Sequence, residues 1–257
     1  MPEKTRVCLV VTAQDAAVGE RTGAPCVRLC YRIGENGTLQ RAQLAMTLRG
    51  GLMGIYEAPG LAAGQPEKLA RDIQAECTRR SYGGVVLDLE PGSEALPGVE
   101  RLCTALSRLG LRHFVPEGLA QCAPEAVVIV PAAVSGGSFR QMLEALCGKY
   151  GPERLCLDMV RACNDFTMPS YTPDGRPITP EELRQLQETY LAQSFYSPEL
   201  CCKYFTYRSK KGGAHFVLFD DGDTAAGKLQ VASELGIGWA FLLYSEWGKE
   251  IRTLTAQ

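Results

Sequence analysis

Eight short apolar runs recur along the chain, at 5–12, 26–33, 51–56, 83–87, 111–115, 126–130, 155–160 and 238–244. Each is too short for a globular helix and apolar enough on both sides to be a strand buried on both faces. Most of the gaps between them show helical spacing. Residues 66–80 place Leu69, Ile73 and Cys77 on one stripe, and Val99, Leu102, Cys103, Leu106 and Leu109 form another. Such alternation builds a parallel α/β sheet, and eight strands suit a closed TIM-type (β/α)8 barrel. The 257 residues are enough for one such domain spanning 1–257.

The remaining segments are assigned by their turn and cap signals. Residues 39–48 are predicted as a helix after the turn Gly34-Glu35-Asn36-Gly37. Ser138 and Gln141 form a capping box that opens a helix to about Lys149, and Thr179-Pro180 opens another. Residues 161–178, with Asn164, Asp165, Phe166, Tyr171 and Asp174, are predicted as a long loop of functional length. Residues 204–207 and 215–219 make a small β-hairpin inserted before the last strand. Asp220, Asp221 and Asp223 then cap a helix, a commoner use of three close acids than cation binding.

The fourth run is distinctive because of how it ends. After Gly83-Gly84-Val85-Val86-Leu87 come Asp88 and Glu90, two residues apart and so on one side of the strand. Acids at the carboxyl end of an inner barrel strand stand where active sites are built, although strand-end acids also cap helices.

Composition excludes several functions. The net charge is −2 and the basic residues are scattered, so no nucleic-acid surface is predicted. No apolar run approaches the roughly 20 residues that span a bilayer, and no cleavable leader is read at the start. The eleven cysteines form no C-x-x-C pair and only two histidines accompany them, so neither a metal site nor a cofactor is predicted. They are read as reduced, buried residues of a cytoplasmic protein, with Cys201-Cys202 the one pair placed for oxidation.

The segment Gly83 to Glu90 resembles the Asp-Gly-x-Asp-x-Asp-x-Glu signature of glycoside hydrolase family 18, matching at Gly84, Asp88 and Glu90. Further segments are similar to the spore-cortex-lytic N-acetylglucosaminidase branch. Cys30-Tyr31-Arg32-Ile33 leads to Asn36-Gly37-Thr38-Leu39, and Asn164-Asp165-Phe166-Thr167-Met168-Pro169 resembles that branch's Tyr-Asp-Trp-Thr-Leu-Pro. Tyr204-Phe205-Thr206-Tyr207 with the segment His215 to Asp221 resembles its hairpin, and Lys228 and Gly236-Ile237-Gly238 fit as well. The resemblance implies a glycan substrate containing N-acetylglucosamine, and association with spores. It makes Glu90 the general acid, its pKa raised by burial, and Asp88 the group that orients the substrate's N-acetyl. The acetamido oxygen itself attacks the anomeric carbon, so no protein nucleophile is needed. Glu57, Glu117, Asp165, Tyr171 and Tyr244 are the expected substrate-binding residues around the same mouth.

Departures from the pattern keep other readings open. Gly83 and Val86 replace two polar motif positions, which shortens the chain of carboxyls behind Asp88. The sixth strand offers Val130-Pro131-Ala132-Ala133 in place of Met-x-Tyr-Asp. The eighth offers Phe241, Leu242 and Tyr244 in place of a tryptophan. A non-catalytic barrel that binds a glycan or a protein, and a barrel enzyme of other chemistry using Glu57, Glu90 and Glu117, are the alternatives.

Overall fold

The computed structural model describes residues 4–43, 49–62, 64–90, 92–134, 136–169, 175–210, 212–248 and 250–255. Eight parallel strands close a ring: β1 (Arg6–Thr12), β2 (Cys26–Ile33), β4 (Leu52–Ile55), β5 (Val85–Leu87), β6 (His113–Pro116), β7 (Val127–Pro131), β8 (Leu155–Asp158) and β14 (Trp239–Leu243). β1 pairs with both β14 and β2, which closes the barrel. A short strand, β3 (Leu39–Arg41), lies outside the ring, antiparallel to β2.

Strand alternation builds the interior. Cys8, Val27, Leu52, Val86, Phe114, Val127, Cys156 and Phe241, one residue from each barrel strand, pack together along the axis. The intervening residues face outward onto helices. Val85, Leu87 and Val115 meet α2 (Pro66–Arg80) and α3 (Leu96–Arg108). Val128, Val130, Leu157 and Leu242 meet α4 (Phe139–Tyr150), α6 (Gly222–Glu234) and α8 (Ile251–Thr255). Two further helices, α1 (Ala16–Thr22) and α7 (Tyr244–Trp247), follow β1 and β14. β6 is followed by a 3-10 turn, Glu117–Cys122, in place of a helix.

Between β8 and α6 stands a second sheet of five antiparallel strands. Its order is β10 (Arg176–Pro177), β9 (Cys163–Met168), β13 (Ala214–Phe219), β12 (Cys202–Arg208) and β11 (Phe195–Ser197). One face is covered by α5 (Pro180–Tyr190), whose Leu183 and Leu186 pack on Phe205 and Val217. The expected hairpin is therefore the centre of a larger insertion, and much of the expected loop at 161–178 is strand. β9 reads as loop because Asn164, Asp165 and Thr167 break its apolar pattern. Its partners are β13 and β10, supplied from further along the chain. The helix expected at 39–48 is a second correction. Leu39–Arg41 pairs along β2, and residues 44–48 lie outside the described residues.

Candidate active site

The site is built at the carboxyl end of β5. The Asp88 backbone N–H donates to the Ile55 carbonyl at 2.9 Å, extending the ladder one residue beyond the strand. Val86 points to the axis, whereas Leu87 and Leu89 are buried against the helices. Asp88 and Glu90 therefore share the interior side and emerge at the barrel mouth, where both are exposed. Gly84 has a structural reason to be glycine: a Cβ there would lie 2.6 Å from the Arg112 carbonyl of the next strand.

Burial is distributed differently from the expectation. Glu90 is exposed, and the enclosed acid is Asp158, which ends β8. Cys156 faces the axis, so Asp158 two residues on opens into the same mouth from the other side. Burial first, then the charges of Glu246 and Asp88, push the Asp158 carboxyl up to about 6. Asp88 is also raised, by the barrel walls that withdraw water from it and then by the charge of Glu90. Glu246, on α7, accepts from the Arg161 backbone N–H at 2.9 Å. The Trp247 indole N–H donates to the Met159 carbonyl at 2.6 Å and docks that helix on β8.

Most other interior positions at the mouth are apolar, with Thr12 at the end of β1 an exception whose hydroxyl donates to Asp15 at 3.0 Å. Tyr56 follows Leu52 and Gly54 on the inward side of β4 and is 45% exposed. On β7 the inward series is Val127, Ile129 and then Pro131, while Ala132 is buried with the helix-side cluster. The sixth-strand residue that faces the mouth is thus Pro131, one place before the alignment expected from sequence. On β14, Leu243 follows Phe241 on the inward side.

The expected substrate-binding residues are dispersed. Glu57 pairs with Arg32 at 3.6 Å on the surface. Glu117 accepts from Lys149 at 3.2 Å and from the Tyr150 hydroxyl at 3.1 Å, which ties it to the last turn of α4. Asp165 is buried in the inserted sheet, accepting from Tyr207 at 2.8 Å and His215 at 2.9 Å, with Arg176 at 3.6 Å. Tyr244 packs with the helix-side cluster, its ring beside Gly248. Tyr171 lies outside the described residues. Sequence reading missed Tyr56 and Asp158. The signal for each was parity, since both continue the inward series of their strands. Among the described residues, no group of three or more His, Cys, Asp or Glu side chains is arranged to hold a metal.

Fold and mouth together define a closed barrel with acids at the carboxyl ends of its fourth and seventh strands. Solved structures sharing this fold include the spore cortex-lytic enzyme SleL from Bacillus cereus, at 12% identity over 100% of this chain and 74% of that one, TM-score 0.67. The class V chitinase from Nicotiana tobaccum matches at 11% identity over 98% of each chain, TM-score 0.65. A GH18 chitinase from Cycas revoluta, solved in complex with (GlcNAc)3, matches at 13% identity over 98% of this chain and 99% of that one, TM-score 0.60. Compared by sequence, the chain matches no family model and no curated protein. The fold implied by the sequence resemblance is the one found.

Proposed function

We propose that this protein is a glycosidase acting on glycans that contain N-acetylglucosamine, by a retaining, substrate-assisted mechanism. The observation that carries the reading is the pair Asp88 and Glu90, projecting from the fourth strand into the mouth of a barrel that chitinases and cortex-lytic enzymes share. Glu90 reaches solvent, as a donor to a bridging glycosidic oxygen must. The acetamido oxygen attacks the anomeric carbon as the bond to the leaving sugar breaks, and the Glu90 proton passes to the departing oxygen. The acetamido N–H donates to Asp88, which stabilises the positive charge that develops on the oxazolinium ring. Water then adds at the anomeric carbon, its proton returns to Glu90, and the N-acetyl group is restored. Tyr56 offers an open aromatic face on which a sugar ring can stack. The cortex-lytic and chitinase neighbours leave peptidoglycan and chitin-like polymers both as candidate substrates.

One observation favours the rival reading, a barrel that binds a glycan without cleaving it. Pro131 brings no hydroxyl to the place where a sixth-strand tyrosine would hold the acetamido carbonyl. A comparison of the protein with its Glu90→Gln variant, on fluorogenic N-acetylglucosamine oligomers and peptidoglycan fragments, separates the two. The proposal predicts turnover that falls by at least a thousandfold in the variant while binding persists. Equal binding by both proteins, with turnover in neither, would establish the binding barrel.

A further inference from the structure

At the amino end of the barrel, three inward-facing residues form a wall unlike the axial layer above them. Arg6, Arg112 and Trp239 each stand two residues before a member of that layer, Cys8, Phe114 and Phe241, and so face the same way. Both guanidinium groups lie 5.3 Å from the centre of the Trp239 ring, so they are at most twice that distance apart. Phe114 meets the indole edge-on at 5.1 Å and holds the ring from the axial side. Another part of the lining carries almost no side chain. It is made by Gly23, Pro25, Gly51 and Gly83, and a Cβ built on Gly23 finds nothing within 4 Å. The result is a cavity of about 1490 Å³, more room than the roughly 300–1,000 Å³ of an ordinary small-ligand cleft. Charge is concentrated there. Lys4 and Arg21 line the cavity together with Arg6 and Arg112, against one acid among the described residues, Asp223. Asp223 already accepts from Lys203 at 3.0 Å. Among the described residues, Lys4, Arg21 and Arg112 have no carboxylate partner. A chain of net charge −2 thus keeps a cationic cavity at one end of its barrel, while Asp88, Glu90 and Asp158 open at the other.

We propose that this cavity is a second binding site, for an organic molecule bearing two or more phosphate or carboxylate groups. A guanidinium is a planar fork that matches either oxyanion in bidentate fashion, and two forks beside one indole suit a ligand with more than one anionic group. Stacking on Trp239 orients both forks before the ligand arrives, so less side-chain freedom is lost on binding. Lys4 and Arg21 add attraction at longer range, which salt weakens. Val7, Leu52, Leu229 and Leu254 give the body of the molecule an apolar surface. The axial layer of the barrel separates this site from the acidic mouth, whose carboxylates repel the same ligand. The site stands apart from the glycosidase reading, because no step of that reaction uses the amino end.

Trp239 is its own reporter, since the chain has one other tryptophan, Trp247, which is buried against β8. The intact protein is titrated with fructose 1,6-bisphosphate and with citrate, followed by tryptophan fluorescence and by calorimetry. Fructose and acetate at matched ionic strength are the uncharged and singly charged controls. The expected result is saturation by at least one polyanion with a dissociation constant below about 1 mM, none by the controls, and weaker binding as salt is raised. Saturation by the bisphosphate alone, by citrate alone or by both assigns phosphate, carboxylate or their shared chemistry. Arg112→Gln is expected to weaken binding at least tenfold. Arg112→Lys keeps the charge without the fork and is expected to fall between Gln and the parent, which preserves the test if the Gln variant does not fold. Trp239→Phe is expected to remove the fluorescence response while heat is still released. Glu90→Gln, at the opposite mouth, is expected to bind as the parent does. Saturation by neither polyanion would overturn the proposal, as would binding that the Arg112 variants leave unchanged or that Glu90→Gln alters. Failure of glycan turnover bears on the glycosidase reading alone, and failure of anion binding on this site alone.

Discussion

At the scale of single residues, the mouth is defined by where acids are left without partners. Asp165 and Asp220 are more deeply buried than Asp158, but each has its donors. Asp158 has none, and its cost is visible as pH dependence. Its folded carboxyl keeps a proton up to about pH 6, and the unfolded one only to its ordinary value of 3.8. Between those values the folded state binds more protons, so stability falls as pH rises through the window and stays lower above it. Asp158→Asn is therefore expected to be more stable than the parent at pH 7, by about 2 kcal/mol, and equal to it near pH 3.5. Urea unfolding at the two pH values measures this, and an advantage confined to low pH would contradict it. Asp88 and Glu90 were legible because two acids close together end an apolar run. Asp158 was not, because a lone acid at a strand end has the same appearance as a helix cap until parity with Cys156 is fixed.

At the scale of elements, the insertion is joined to the barrel through a buried ion pair. Asp220, at the end of β13, receives Lys228 at 2.7 Å, the Thr224 hydroxyl at 2.8 Å and the Ala162 backbone N–H at 3.0 Å. Lys228 also lies over the Phe139 ring at the start of α4. Removing one partner leaves a buried charge, so Lys228→Met is expected to destabilise by about 3–5 kcal/mol. The double change Lys228→Met with Asp220→Asn should recover part of that loss, and urea midpoints read both. Gly84→Ala tests a different joint. The added methyl must push β5 from β6, at an expected cost of about 1–3 kcal/mol. A neutral result there would show that glycine in the motif is not required by packing.

The same scale explains what sequence reading missed. Strands β1, β2, β4 and β14 announce themselves because their apolar runs are complete within the run. β9 does not, since its polar residues Asn164, Asp165 and Thr167 gain partners only when β10 and β13 arrive. Asp165 is the clearest case. Its polarity is spent on Tyr207, His215 and Arg176 within the inserted sheet. Glu57 and Glu117 also follow inner strands, and both pair with basic side chains, Arg32 and Lys149.

At the scale of the whole molecule, the two ends of the barrel differ in character. A cavity of about 1490 Å³ lies at the amino ends of the strands, away from the acidic mouth. There Arg6 and Arg112 each stack on Trp239 at 5.3 Å, and Phe114 meets the same indole edge-on at 5.1 Å. Those aromatic and guanidinium contacts cap the floor, while Asp88, Glu90 and Asp158 open at the opposite face, where barrel enzymes keep their chemistry. That a substrate acetamido group does the work of a protein nucleophile at that face is the core of the proposed reaction. It is tested most directly by proton NMR of the first anomer released when N-acetylglucosamine oligomers with β linkages are incubated with the protein. β product is expected at the earliest time points, decaying to the equilibrium mixture. Release of the α anomer first, or binding of the oligomers with no hydrolysis, would contradict it.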